Sequence, residues 1–146
     1  MSETQFNLRF LLYRNLKSAV KIMQEIQNLV ILGSTGSIGT STLSVIEHNP
    51  EKFRAFALVG GRNVELMAEQ CIKFQPQFVA LDDENAAKKL RGKLTALSLS
   101  TEVLSGQKTI CELAAHPEAH QVMAAIVGAA GLLPTLSAVQ AGKKVL

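Results

Sequence analysis

Tryptophan is absent from this sequence, tyrosine occurs once, at Tyr13, and aromatic residues make up 5% of 146. A surface that stacks single-stranded nucleic acid needs a succession of aromatic platforms, and they are missing. Cysteine is as scarce. Cys71 and Cys111 lie far apart, form no C-x-x-C pair and sit among apolar residues of predicted helices. Two buried free thiols in a reducing compartment are the expected state, ahead of a disulfide or a reactive thiol. A long apolar run is lacking too. Residues 119–142 carry no Lys, Arg, Asp or Glu, but Gly128-Ala129-Ala130-Gly131 and Pro134 divide them into a strand and a helix. That falls short of the roughly 20 continuous apolar residues of a membrane span.

Charge of one sign is lacking once it is located. The net charge of +3 is held by residues 1–22, where Arg9, Arg14, Lys17 and Lys21 stand against Glu3 alone. From Met23 onward 11 Lys and Arg face 11 Asp and Glu, so the body is neutral. Nothing there suggests a nucleic acid partner. What remains is a chain with 47% hydrophobic residues, long enough for one domain with its own core.

Residues 1–27 read differently from the rest. Leu8, Phe10, Leu11, Leu12, Leu16, Val20 and Met23 form a ragged amphipathic stripe with basic residues between them. A secretory signal needs a continuous apolar core, and Arg14 closes this one after four residues. The stretch is expected to be an extension outside the fold, upstream of a start at Met23. A transit peptide and a surface or partner helix are the alternatives.

From Asn28 the pattern is strand, turn, helix, repeated. Leu29-Val30-Ile31-Leu32 is apolar throughout and closed by glycine, as expected of a strand buried on both faces. A helix over 37–48 stops at Asn49-Pro50. Strands are predicted at 53–59, 78–81, 102–104 and 122–127, with a sixth opening at Lys144. Helices are predicted at 64–74, 84–97, 108–115 and 132–141. In the helix over 64–74, Val64, Met67, Ala68, Cys71, Ile72 and Phe74 are expected inward. The alternation predicts an α/β domain: a doubly wound parallel sheet, Rossmann-like, covered on both faces.

The informative segment is Gly33-Ser34-Thr35-Gly36-Ser37-Ile38-Gly39, between the first strand and the first helix of that pattern. Unpaired N–H groups and the positive dipole end of a helix favour phosphate there. Gly33 allows the tight turn, Gly36 the close approach of a pyrophosphate, and Gly39 close packing of helix on strand. The spacing is G-x-x-G-x-x-G, which departs from the usual dinucleotide fingerprint. No Gly-Lys-Ser/Thr follows, so this is not a P-loop.

The end of the second strand selects the nucleotide. An NAD site carries an acid there for the ribose hydroxyls. Here the chain reads Gly60-Gly61-Arg62-Asn63, with no acid until Glu65. A guanidinium grips a 2′-phosphate through paired, charge-assisted hydrogen bonds, so Arg62 argues for NADP, with Asn63 at a predicted helix N-cap.

Other clusters carry less. His116 and His120 are spaced for one helix face, but Pro117 between them and adjacent Glu118 point to a loop, with no third ligand near. Asp82-Asp83-Glu84 is expected to cap a helix rather than bind a cation. No Ser–His–Asp or Cys–His arrangement is evident.

At this point the residues match a family. G-S-T-G-S-I-G-T-S-T at 33–42, H-N-P at 48–50, A-L-V-G-G-R-N at 57–63 and M-A-A-I-V-G-A-A-G-L-L-P-T-L at 123–136 resemble 1-deoxy-D-xylulose 5-phosphate reductoisomerase. The likeness runs from about Leu29 to Leu146 and covers only that family's N-terminal, NADPH-binding domain. The resemblance implies an NADPH-dependent enzyme of non-mevalonate isoprenoid biosynthesis. Its substrate, 1-deoxy-D-xylulose 5-phosphate, is rearranged and reduced to 2-C-methyl-D-erythritol 4-phosphate. It also implies Mg or Mn in the full enzyme, a homodimer in the cytoplasm, and no nucleic acid or membrane partner.

Carried over by residue, the cofactor contacts fall on Thr35, Gly36, Ser37 and Ile38 at the pyrophosphate. Gly61, Arg62 and Asn63 fall at the 2′-phosphate. Many members have Lys where Arg62 stands, and the Gly128–Gly131 turn would lie along the cofactor. The family's metal ligands and catalytic residues follow the strand begun at Lys144, so none is expected here. The chain then reads as an extension, 1–27, and a cofactor domain, 28–146, cut short and inactive alone. Another NADP-dependent oxidoreductase domain and a non-catalytic nucleotide-binding module are the alternatives.

Overall fold

The apolar tetrad at 29–32 forms the middle of a sheet. A computed structural model, which describes residues 2–22 and 25–146, places it in strand β1 (Gln27–Leu32). Ahead of it runs helix α1 (Glu3–Ile22); Met23 lies outside the described residues. After β1 come α2 (Ser37–His48), β2 (Phe53–Gly60), α3 (Val64–Phe74), β3 (Phe78–Leu81) and α4 (Glu84–Ala96). Then follow β4 (Glu102–Ser105), α5 (Gln107–Ala114), β5 (Gln121–Ala124), α6 (Leu132–Gln140) and β6 (Lys144–Val145).

The six strands form one parallel sheet in the order β4-β3-β2-β1-β5-β6. Side chains alternate across it. Leu29 and Ile31 pack with Leu43 of α2, Met67 of α3 and Leu90 of α4. Val30 and Leu32 pack on the other face with Ile110 of α5 and Ala138 of α6. The chain therefore winds outward from β1 on one face, then returns to β5 beside β1 on the other. This is the doubly wound α/β architecture, and β1 and β5 flank its topological switch point.

Three details differ from the expectations. The fifth strand ends at Ala124, not Val127, because its neighbour β1 ends at Leu32 and offers no further ladder partner. Ala125 N–H still donates to Leu32 O at 2.9 Å, and Val127 beyond it is 91% exposed. Ile72 faces solvent and Gln70 is buried in its stead. Third, β2 carries an extra residue. Leu29 pairs with Ala55 and Val30 with Ala57, so Phe56 and Ala57 both face the α5 side.

The described apolar residues of α1 take no part in either core cluster. Phe6, Leu8, Phe10, Leu11, Leu12, Leu16 and Val20 are all exposed. Among the described residues no helix is long and apolar enough to cross a membrane.

The two thiols are free, but only Cys71 is buried; Cys111 is half-exposed. Burial pushes the Cys71 thiol up to about 12. A raised value means the neutral thiol is favoured in the fold. Its stabilising contribution is full below about pH 8.5, the ordinary thiol value, and is lost as pH climbs through the folded value. In the native protein iodoacetamide is expected to label Cys111 and spare Cys71, with both labelled in urea. Equal native labelling, read by mass spectrometry, would contradict the packing of α3.

Candidate functional site

Past Leu32 the chain must turn sharply at the carboxyl edge of the sheet. Gly33 does this at φ +85°, a conformation that L side chains rarely adopt. Its N–H and that of Ser34 both donate to Val59 O at 2.9 Å, which ties the loop to the end of β2. Gly36 N–H donates to Gly33 O at 3.2 Å, and α2 starts at Ser37. A Cβ at Gly39 would lie 2.6 Å from Ser34 Cα, so the helix can seat against the loop only without one.

The first turn of α2 has no acidic residue and no side-chain cap. Its leading N–H groups are thus left for an anion, and the helix dipole favours one there. α3 and α4 contrast with this, since Asn63 Oδ1 accepts from Leu66 N–H and Asp83 Oδ1 from Ala86 N–H. α5 and α6 also start uncapped; α2 alone combines an open start with the glycine loop and the switch point.

A cleft of about 240 Å³ opens at this edge. Gly33, Thr35 and Gly36 form one wall, Gly60 and Gly61 another, and Ala125, Ile126 and Ala130 a third. The structure thus brings Thr35, Gly36 and Gly61 into one cavity. Ser37 and Ile38 stand at the helix start, with the Ile38 side chain turned into a separate groove. Gly61 has open space where a Cβ would be, and Arg62 and Asn63 are exposed beside it. The turn at Gly128–Gly131 reaches the cleft through Ala130.

Some residues at the site escaped the sequence reading. Asp82 lines the cleft, and Asp83 Oδ2 lies 3.5 Å from Arg62 Nε. Buried Gln70 donates through Nε2 to Ser34 O at 2.9 Å, holding the glycine loop from behind. Only its position beside the inward residues Met67, Ala68 and Cys71 hints at this. The two histidines end in local roles, as Asn28 N–H donates to His120 Nδ1 at 2.8 Å and Glu118 N–H to His116 Nδ1 at 3.1 Å. Among the described residues no group of three or more His, Cys, Asp or Glu could hold a metal ion.

A larger cavity, about 560 Å³, is elsewhere. It lies between α2 and the sheet face over β5 and β6, lined by Ile38, Val45, Phe53, Met123 and Leu146. Its lining is mostly apolar, with Ser37, Ser41, Thr42, Gln121 and Lys144 among it, and it lacks the glycine loop that marks the smaller cleft.

A glycine loop feeding a helix N-terminus at the switch point of a parallel sheet is the architecture of a dinucleotide-binding α/β domain. The chain belongs to the 1-deoxy-D-xylulose 5-phosphate reductoisomerase family, whose model matches residues 29–146. It is 77% identical over 120 residues to that enzyme from Haemophilus influenzae (strain PittEE), and 74% to that of Glaesserella parasuis serovar 5 (strain SH0165). Each match covers 82% of this chain and 30% of the relative, so the chain spans about 30% of the length of these proteins.

Solved structures agree. One of DOX-P reductoisomerase in complex with NADPH, fosmidomycin and magnesium has a TM-score of 0.79 at 40% identity, over 82% of this chain and 29% of that one. The Zymomonas mobilis enzyme in complex with NADPH has a TM-score of 0.77 at 35% identity, over 83% and 31%.

Proposed function

We propose that residues 28–146 are the NADPH-binding domain of a 1-deoxy-D-xylulose 5-phosphate reductoisomerase, with residues 1–27 outside it. The observation that carries this reading is the cleft, with the glycine loop and an uncapped helix start on one side and, next to Gly61 of its other wall, the exposed Arg62. It fits NADPH in chemistry as well as in place. The pyrophosphate takes the backbone N–H groups of Thr35, Ser37 and Ile38, while Gly36, whose own N–H stays on Gly33 O, leaves room for its approach. The 2′-phosphate takes Arg62, with Gly61 allowing close approach. Asn63 uses its Oδ1 on Leu66 N–H, and its Nδ2 remains to donate to the same phosphate.

NADPH supplies a hydride for the reduction of an aldehyde. This chain's residues bind the cofactor and fix its direction across the sheet edge, so that the nicotinamide end points away from Arg62. Family structures contain magnesium; we assign none of its ligands to this chain, which has no fitting cluster among the described residues. The same reading makes the whole protein a cytoplasmic homodimer acting on 1-deoxy-D-xylulose 5-phosphate. The chain of 146 residues is expected to bind NADPH without oxidising it when that substrate is added.

Fluorescence titration tests the cofactor assignment. A charge-assisted hydrogen bond contributes about 1.5–3 kcal/mol, so NADPH should bind about 10–100-fold more tightly than NADH. Arg62→Glu puts a like charge against the phosphate and should erase that difference. Equal affinity of the unaltered chain for both cofactors would overturn the NADPH reading.

A further inference from the structure

Arg62 is not a free cation. Its Nε lies 3.5 Å from Asp83 Oδ2, 21 residues further along the chain and at the end of the next strand. The arginine side chain is 85% exposed and the aspartate 30%. The two are held differently. Asp83 Oδ1 accepts the Ala86 N–H at 2.8 Å as the cap of α4, so the carboxylate is fixed by the fold and the guanidinium comes to it. Nearby acids are otherwise occupied or placed. Glu65 pairs with Lys93 at 2.8 Å, Glu84 meets the Ser105 hydroxyl, and Asp82 lines the cleft.

We propose that Asp83 is a specificity-determining residue: it sets how strongly this site discriminates NADPH from NADH, and it does so through Arg62. The inference rests on the NADPH reading above. A 2′-phosphate arriving at Arg62 must share the guanidinium with a carboxylate that cannot move away. Two effects oppose each other. The contact orients Arg62 with both Nη groups left for phosphate, but one exposed contact at 3.5 Å fixes little. The negative charge, by contrast, offsets part of the attraction whichever rotamer the arginine adopts. The charge effect wins, and Asp83 moderates the preference for NADPH.

The test is a titration of the 146-residue chain with NADPH and NADH, before and after Asp83→Asn. Asn caps a helix about as well as Asp, so α4 is retained, and an unchanged melting temperature verifies it. The NADPH-to-NADH affinity ratio should rise about fivefold, the upper end of what a solvent-exposed charge pair contributes, and the gain should shrink as salt is added. NADH affinity itself should not move. With Arg62→Ala in place, the same Asp83→Asn change should raise the ratio much less, because only the direct, solvent-screened repulsion of the phosphate remains. A ratio that stays level or falls in Asp83→Asn overturns the proposal, as does a gain that is undiminished without Arg62. If the unaltered chain shows no preference, the NADPH reading itself fails and takes this one with it; a clear preference that ignores Asp83→Asn removes only the role of Asp83.

Discussion

Gly39→Ala is expected to lower the melting temperature by about 5–10 °C and to abolish NADPH binding. The added methyl would press on Gly33 O and lie 2.6 Å from Ser34 Cα. Both are backbone atoms, so no side chain can swing aside. The loop itself is pinned, with Gly33 and Ser34 N–H on Val59 O and Gln70 on Ser34 O. The helix start must therefore move out. Alanine gains about 1 kcal/mol over glycine in helix propensity, whereas overpacking against fixed atoms costs about 1–3 kcal/mol and occasionally more. With three backbone atoms inside contact distance, the clash wins. The α2 N–H groups then leave the position from which they face the cleft. Gly36→Ala is the control, because its methyl would meet only Gly33 O, at an ordinary 3.6 Å. It should keep the melting temperature and weaken NADPH binding alone, by narrowing the approach of the pyrophosphate. A Gly39→Ala protein that melts like its parent would remove the packing role assigned to this glycine.

What could be read in advance depended on whether the signal was local. Helix α2 was legible to the residue, since a glycine loop opens it and Asn49-Pro50 closes it. Helix α3 was legible too, with Asn63 as its cap. The inward face of α3 was not. Gln70 is drawn in by the Ser34 carbonyl, a demand of the glycine loop 36 residues away, and Ile72 is left outside. The end of β5 was set by the length of β1, which the apolar run 122–127 does not encode. The same holds at the site. Thr35, Gly36 and Gly61 could be placed from the glycine pattern, whereas Asp83 reaches Arg62 only because β2 and β3 are neighbours in the sheet. An acid was sought after the second strand, and the fold supplies one after the third.

Phe56→Ala is expected to destabilise the domain by about 3–5 kcal/mol, a large part of the ~5–15 kcal/mol that holds a typical domain together. Phe56 is among the largest fully buried side chains, at 1% exposure. Its ring packs edge-on to Phe78 with centroids 5.6 Å apart, and tilted against His116 at 5.0 Å. The bulge makes this site hard to repair. A regular strand would turn Phe56 and Ala57 to opposite faces, but the extra residue sends both to the α5 side, so the lost ring leaves a void beside an alanine. Sequence pattern alone left His116 as a weak metal candidate, and its packing gives the ring an apolar role instead. Urea denaturation should show a lower midpoint with an unchanged slope, and zinc should not restore it. Phe56 sits midway along β2, four residues before Gly60 at the cleft end. NADPH affinity per folded molecule should therefore survive Phe56→Ala, unlike Gly39→Ala. A midpoint shift worth less than about 1 kcal/mol would mean that the cavity collapses freely and that the aromatic cluster is not a fixed part of the core.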